Sequence, residues 1–211
     1  IHACNPPDLI FLSALPYKIF GKKFIFDHHD INPDLYLDKF NKKDIFYKLM
    51  VLFEKLTFKM ADVSIATNNS YKKIAIKRGG MEPDNVHVVR SGPKLSRIKL
   101  IPPQENYKNG KNFLIGYVGV IGQQEGIDHL LYALKHLIKE YDFTDFYCII
   151  CGGGPELEKM KELSENLMLN NFVEFTGRIP DKKLFEILNT ADICVNPDIW
   201  SEMNDKSTMN K

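Results

Sequence analysis

The segment Phe26-Asp-His28-His29-Asp30-Ile-Asn32-Pro33 gathers titratable side chains at the end of a short apolar stretch. An imidazole can give or take a proton near neutral pH, and a neighbouring carboxylate steadies its charged form, so such a pair can polarise a hydroxyl or meet a phosphate. No third ligand at metal-binding spacing accompanies them, so no zinc site is expected; a solvated polar loop is the plainer alternative. Two glycine segments carry a second chemistry. Phe146-Tyr-Cys148-Ile-Ile-Cys151-Gly152-Gly153-Gly154-Pro155 runs from apolar residues into a turn, and Ile115-Gly-Tyr-Val-Gly119-Val120-Ile-Gly122-Gln123-Gln-Glu125-Gly126 does the same. Glycine lets backbone approach a ligand closely, and amides at the start of a following helix suit an anion such as a diphosphate. Turn sterics alone can also demand glycine, and both readings stand. Neither segment has the spacing of the dinucleotide fingerprint, which disfavours an unrelated two-domain enzyme such as a sugar epimerase. Cys148 and Cys151 lie three apart, and in a strand they face opposite sides, so they are expected to be buried thiols rather than a redox pair.

The elements that must hold these residues alternate strand and helix. In the first half, 23–27, 62–67 and 86–90 have strand character, 44–60 is a long helix, and Asn69 is expected to cap a helix ending at Gly79 and Gly80. In the second half, strands are expected at 113–118, 146–151, 172–176 and 192–196. After Gly126, apolar residues at Ile127, Leu130, Leu131, Leu134, Leu137 and Ile138 form one helical face that covers a sheet. Apolar strands joined by helical crossovers imply parallel sheets, so two doubly wound units follow. Ligands of such sheets bind at the carboxyl ends of the strands, which puts the turns near Gly119, Gly152 and Pro180 on one rim. The helix 44–60 has Ile45, Leu49, Leu52, Leu56 and Met60 on one face, with Phe46, Met50 and Phe53 widening it. Burial against its own domain is the expectation, with a membrane surface as the alternative.

Composition agrees with a soluble globular chain: 211 residues, 44% hydrophobic and 26% charged. No apolar run reaches the roughly 20 residues that span a bilayer. Cys148, Cys151 and Cys194 lie in apolar segments expected to be buried strands, which suits a reducing compartment and a cytoplasmic location. The net charge of +1 hides an asymmetry, with 17 Lys and Arg against 11 Asp and Glu in residues 1–105 and 11 against 16 in residues 106–211. Residues 99–112, rich in Pro, Asn and Gly, are the expected linker, dividing the chain into domains 1–105 and 106–211. The chain opens on Ile1 rather than Met and ends just after Asp205 and Ser207, possible helix caps, so it is expected to be a fragment.

The order and spacing of Phe26-Asp-His-His-Asp30, Ala61-Asp-Val-Ser-Ile-Ala-Thr-Asn68, Val89-Arg-Ser-Gly-Pro93, Ile115 to Gly126, Cys151-Gly-Gly-Gly-Pro-Glu156, Phe175-Thr-Gly-Arg178 and Ala191-Asp-Ile-Cys-Val-Asn-Pro197 resemble the family 4 (group 1) glycosyltransferases. The resemblance implies the GT-B fold: two α/β Rossmann-like parallel-sheet domains, both incomplete in this chain, with an acceptor-side domain first and a donor-binding domain second. It implies a retaining hexosyltransferase moving sugar from a nucleotide-sugar donor to a glycan or lipid-linked acceptor, in cell-envelope polysaccharide biosynthesis. No metal or other cofactor and no nucleic acid are expected, and activity is expected of the whole protein rather than of the fragment alone. The catalytic positions implied are His29 and Asp30. Donor-binding positions are Gly119, Gly122, Gln123, Gly153, Gly154, Ile179, Asp181, Lys206, Ser207 and Thr208.

The family's glycine loop carries an Arg and a Lys that grip diphosphate, and here those places hold Val120 and Glu125. Lys206, at the place of the family's first paired glutamate, is one candidate to replace the lost charge. A non-catalytic nucleotide- or sugar-binding protein of the same fold is the alternative. The basic first half suits peripheral contact with an anionic inner membrane leaflet.

Overall fold

A computed structural model describes residues 1–92, 96, 98 and 100–207. They form two compact units, one of residues 1–92 with 200–207, the other of residues 100–199. This differs from the expected division at 105. Residues 101–107 pack on the second unit, where Ile101 N donates to Asn189 Oδ1 at 3.2 Å, Gln104 N to Thr190 Oγ1 at 2.9 Å and Tyr107 Oη to Glu186 Oε2 at 2.8 Å. The last helix returns to the first unit, because Met203 packs on that unit's core and Lys206 pairs with Asp34.

The first unit holds a parallel sheet in sequence order, β1 (His2–Cys4), β2 (Ile25–His28), β3 (Val63–Ala66) and β4 (Val86–Val88). Its helices are α1 (Phe11–Ile19), α2 (Asn32–Phe40), α3 (Ile45–Met60) and α4 (Asn69–Lys77). The cap of α4 is Asn68, one residue before the expected Asn69, and its side chain accepts from Tyr71 N at 2.9 Å. Phe24, Phe26 and His28 are all fully buried, as the two-residue period of β2 requires, which leaves Asp27 and His29 together on the other side. Phe58 of α3 and Ala75 of α4 close over that buried face.

The second unit holds β5 (Phe113–Val118), β6 (Phe146–Cys151), β7 (Val173–Gly177) and β8 (Ile193–Cys194) in the order β7-β6-β5-β8, all parallel. Its helices are α5 (Ile127–Tyr141), α6 (Leu157–Asn166) and α7 (Asp181–Thr190). The expected stripe of α5 is buried at Ile127, Leu130, Leu131 and Leu134. Cys148 and Cys151 are buried on opposite faces of β6, and burial pushes the Cys148 thiol up to about 12. Cys194 departs from expectation and is exposed, because β8 is a two-residue edge strand paired only through Ile115 and Gly116.

Helix α3 meets the expected burial only toward its C-terminal end, where Leu56 and Met60 are half-buried and Met60 packs on the core. Its buried residues are Glu54, Thr57 and Phe58, whereas Ile45, Leu49 and Leu52 are 62%, 37% and 47% exposed. The reason is polar: Glu54 meets Arg78, with Nε to Oε2 at 2.5 Å and Nη2 to Oε1 at 2.8 Å, and Thr57 Oγ1 donates to Asp8 O at 2.9 Å. A carboxylate is buried only when paired, so these partners set the helix rotation and leave Ile45, Leu49 and Leu52 outward.

Candidate functional site

Each unit places a cavity at the carboxyl ends of its parallel strands. In the first, about 310 Å³ is bounded by His29, Asp30, Thr67, Tyr71, Ser91, Met203 and Ser207. His29, Thr67 and Ser91 follow β2, β3 and β4, and Met203 and Ser207 come from α8 (Glu202–Lys206) and the residue after it. The structure thus brings together the expected His29, Asp30 and Ser207.

Asn5 fixes the turn that carries His29 and Asp30. This side chain is 2% exposed; its Oδ1 accepts from His29 N at 2.9 Å and Asp30 N at 3.2 Å, and its Nδ2 donates to Asp30 O at 2.6 Å and Asp8 Oδ1 at 3.0 Å. Asp8 also accepts from Asn32 Nδ2 at 2.9 Å, and burial raises its pKa against the lowering by those two amides. The carboxylate beside His29 is Asp27, 3.2 Å from Nε2, rather than the adjacent Asp30. The motif placed Asp27 within reach, but only strand alternation shows that residues 27 and 29 share a side.

Behind this turn runs a line of charge. His28, fully buried among Phe26, Phe58 and Tyr71, has its Nε2 3.6 Å from Glu54 Oε1. Arg78 joins Glu54 to Asp34, with Nη1 to Oδ2 at 2.6 Å, and Lys206 Nζ reaches Asp34 Oδ1 at 2.8 Å. Burial raises the Asp34 carboxyl, yet Lys206 and Arg78 outweigh it and hold the pKa below the usual range. Lys206 therefore stands in the first unit with its ammonium on Asp34 and, at 3.7 Å, Glu202. Its carbonyl accepts from Asn68 Nδ2 at 2.9 Å, and Ser207 bonds the Tyr71 hydroxyl, whose pKa is raised mainly by burial. Thr208 lies outside the described residues.

In the second unit the strand order reverses at β5, where open parallel sheets form a binding crevice. A cavity of about 370 Å³ opens at the ends of β5, β6 and β7, bounded by Gly119, Val120, Gly152, Gly153, Gly177, Arg178 and Ile179 among others. The ends of β5, β6 and β7 meet on one rim, as expected. Gly119 N donates to Cys151 O at 3.0 Å, Gly152 N to Gly177 O at 2.9 Å and Ile121 N to Gly153 O at 3.1 Å. A Cβ on Gly152, where φ is +142°, would stand 1.8 Å from Gly119 O, and one on Gly154 would stand 2.3 Å from Ile121 O, so these glycines let the loops touch. A Cβ on Gly153 would meet only Arg178 Cγ at 3.8 Å. Among the described residues the amides of Gly122, Gly153 and Gly154 have no backbone acceptor, whereas that of Gly119 is taken.

Of the expected donor residues, Gly119, Gly153 and Ile179 line this cavity. Gly122 and the exposed Gln123 lie in the turn leading to α5, Gly154 lies in the turn leading to α6, and Asp181 is the first residue of α7. Arg178 was not anticipated; the signal was its place directly after Gly177 at a strand end. Among the described residues no group of three or more His, Cys, Asp or Glu is arranged to hold a metal ion.

Two parallel α/β units, each with a cavity at its strand ends, define a GT-B-type protein. Residues 100–203 match the family of glycosyl transferases group 1. It is similar to an uncharacterized glycosyltransferase of Methanocaldococcus jannaschii, 27% identical over 160 residues, covering 74% of this chain and 39% of the relative. The structure of Anabaena HepE in complex with UDP superposes with a TM-score of 0.69 at 17% identity, over 90% of this chain and 50% of that one. WaaG, a glycosyltransferase involved in lipopolysaccharide biosynthesis, gives 0.66 at 18% identity, over 89% and 56%. The chain thus spans about two fifths of that curated relative and about half of those solved chains.

Proposed function

We propose that this chain is part of a retaining glycosyltransferase that moves a hexosyl group from a nucleotide-sugar donor to a glycan or lipid-linked acceptor. The supporting observation is the cavity where Gly119, Gly153, Arg178 and Ile179 converge. HepE, of similar fold, has been crystallised with UDP and with UDP-glucose, which favours a uridine nucleotide. The departing diphosphate meets the amides of Gly153 and Gly154 and the positive ends of α6 and α7, which stabilise charge as it develops. Arg178 supplies the cation that Val120 does not, since Lys206 is engaged by Asp34. In the first unit His29 and Asp30 are the groups offered to an acceptor hydroxyl. No metal takes part. The enzyme works in the cytoplasm at the inner face of the membrane, in cell-envelope polysaccharide assembly, with its basic first half toward anionic lipid.

Calorimetric titration of the full-length protein with UDP and other nucleoside diphosphates tests this. Binding that Arg178→Ala weakens at least tenfold is expected; failure of every nucleoside diphosphate to bind would overturn it. The cavity-lining Val120 favours a second reading, a nucleotide binder without transfer, and release of free nucleotide from UDP-sugars in the presence of acceptor glycans separates the two.

A further inference from the structure

We propose that a cavity between α2 and α8 is a subsite for an uncharged pyranose ring of the acceptor glycan, next to the ring that reacts. The proposal rests on the functional reading above and adds the acceptor's second sugar and the groups that hold it. Helix α2 begins two residues after Asp30, and Asp34, Leu37, Asp38 and Asn41 recur along it at spacings of three and four, so they share one face. Together with Trp200, Ser201 and Met203 they bound a cavity of about 310 Å³. Lys206 ties α8 to α2 through Asp34 at 2.8 Å, which holds the two sides of the cavity in register.

The chemistry of the lining selects the ligand. A lone exposed apolar side chain needs no partner, but Trp200, 80% exposed, bounds a cavity that also holds polar groups without partners. Among the described residues the side chains of Asp38 and Asn41 form no hydrogen bond or ion pair with the protein. A pyranose presents C–H groups on its faces and hydroxyls round its edge. The C–H face packs on an indole, while the edge is met by a carboxylate that accepts and an amide that both donates and accepts. Phosphate is disfavoured by Asp34, Asp38 and Glu202, so a nucleotide or a lipid phosphate lies elsewhere. A cation is not selected either: Asp34 already holds Arg78 and Lys206, and Glu202 stands 3.7 Å from Lys206, which leaves Asp38 alone uncompensated. The volume is at the low end of the roughly 300–1,000 Å³ of ligand sites and suits a single ring. Met203 bounds both this cavity and the one holding His29 and Asp30, so the two adjoin. A glycan whose terminal hydroxyl meets His29 then lays its next ring on Trp200.

The test is ligand-observed NMR titration of full-length protein with the methyl glycosides of glucose, galactose, mannose, glucosamine and N-acetylglucosamine, and with disaccharides of the same sugars. At least one disaccharide is expected to bind about tenfold more tightly than its methyl monosaccharide. Trp200→Ala should remove that gain while leaving monosaccharide and UDP binding unchanged, and its exposure lets the variant fold. Trp200→Phe, which keeps an aromatic face, should retain most of the gain. A disaccharide gain that survives Trp200→Ala, disaccharides that bind no better than monosaccharides, or no saccharide binding at all would each overturn the subsite. A preference of about tenfold for the glucosamine glycoside over the N-acetylglucosamine one would mark a cation site and overturn it too. UDP titration of the same preparation separates the claims: protein that binds UDP but no disaccharide through Trp200 defeats only the subsite, and protein that binds disaccharide through Trp200 but no nucleotide defeats only the donor reading.

Discussion

Asn5 grips Asp30 from both sides, with Nδ2 donating to the Asp30 carbonyl at 2.6 Å and Oδ1 accepting from its amide at 3.2 Å. The two residues lie 25 positions apart, on adjacent strand ends, and the same Oδ1 takes the amide of His29. Asn5→Ala would leave those groups without partners in a buried place, at a cost of about 1–3 kcal/mol. Urea unfolding should register that loss. Sugar transfer should fall further than stability does, with UDP affinity unchanged; unaltered turnover in the folded variant would show that Asn5 has no positioning role.

The Glu54–Arg78 pair is a buried charge contact with no slack. Burial pulls the Arg78 pKa down, but Glu54 and Asp34 push it above its ordinary value, so the guanidinium stays charged. Arg78→Met strands Glu54, only 1% exposed, and is expected to cost about 3–5 kcal/mol in denaturant midpoint experiments. Adding Glu54→Leu should recover most of it, because no unpaired carboxylate remains.

Two neighbouring glycines are predicted to behave oppositely. Gly152→Ala drives a methyl group into Gly119 O and should destabilise the second unit, visible as a lowered melting temperature. Gly153→Ala has room and should fold normally, yet place a methyl beside the diphosphate and weaken UDP binding. Equal stability of the two variants would contradict the loop contact described here.

Asp62 predicts an acid limb in the stability profile. Lys18 holds its carboxyl to about 2, assisted by Phe24 N and Lys23. The folded value lies below the unfolded one, so the stabilisation is complete above about pH 4 and disappears as pH falls toward about 2. With the side chain 24% exposed, solvent screening keeps it to about 1 kcal/mol. Asp62→Asn should flatten that part of the curve in unfolding measured from pH 5 downward.

The second unit was more legible than the first, for physical reasons. Strands 113–118 and 146–151 are long, apolar and central, so their own composition marks them, and the stripe of α5 repeats at helical spacing. The first unit hides more. The strand at His2–Cys4 is three residues long, and α1 carries Pro16 inside it, so neither has a strong local pattern. The rotation of α3 follows from Arg78, 24 residues onward, and its apolar spacing misplaced Ile45, Leu49 and Leu52. At the sites, the glycine turns and His29–Asp30 announce themselves by residue type, whereas Asn5, Asp27 and Arg178 gain their roles from neighbours that only the folded sheet brings near.

The chain of Glu54, Arg78 and Asp34 also limits how such sequences can diverge. Any one of the three, altered alone, leaves a charge facing its former partner, so variation at these positions is constrained to move as a set. In a collection of related chains, position 54 should be acidic where position 78 is arginine and apolar where it is not, a correlation that would record the helix's rotation without any structure being solved.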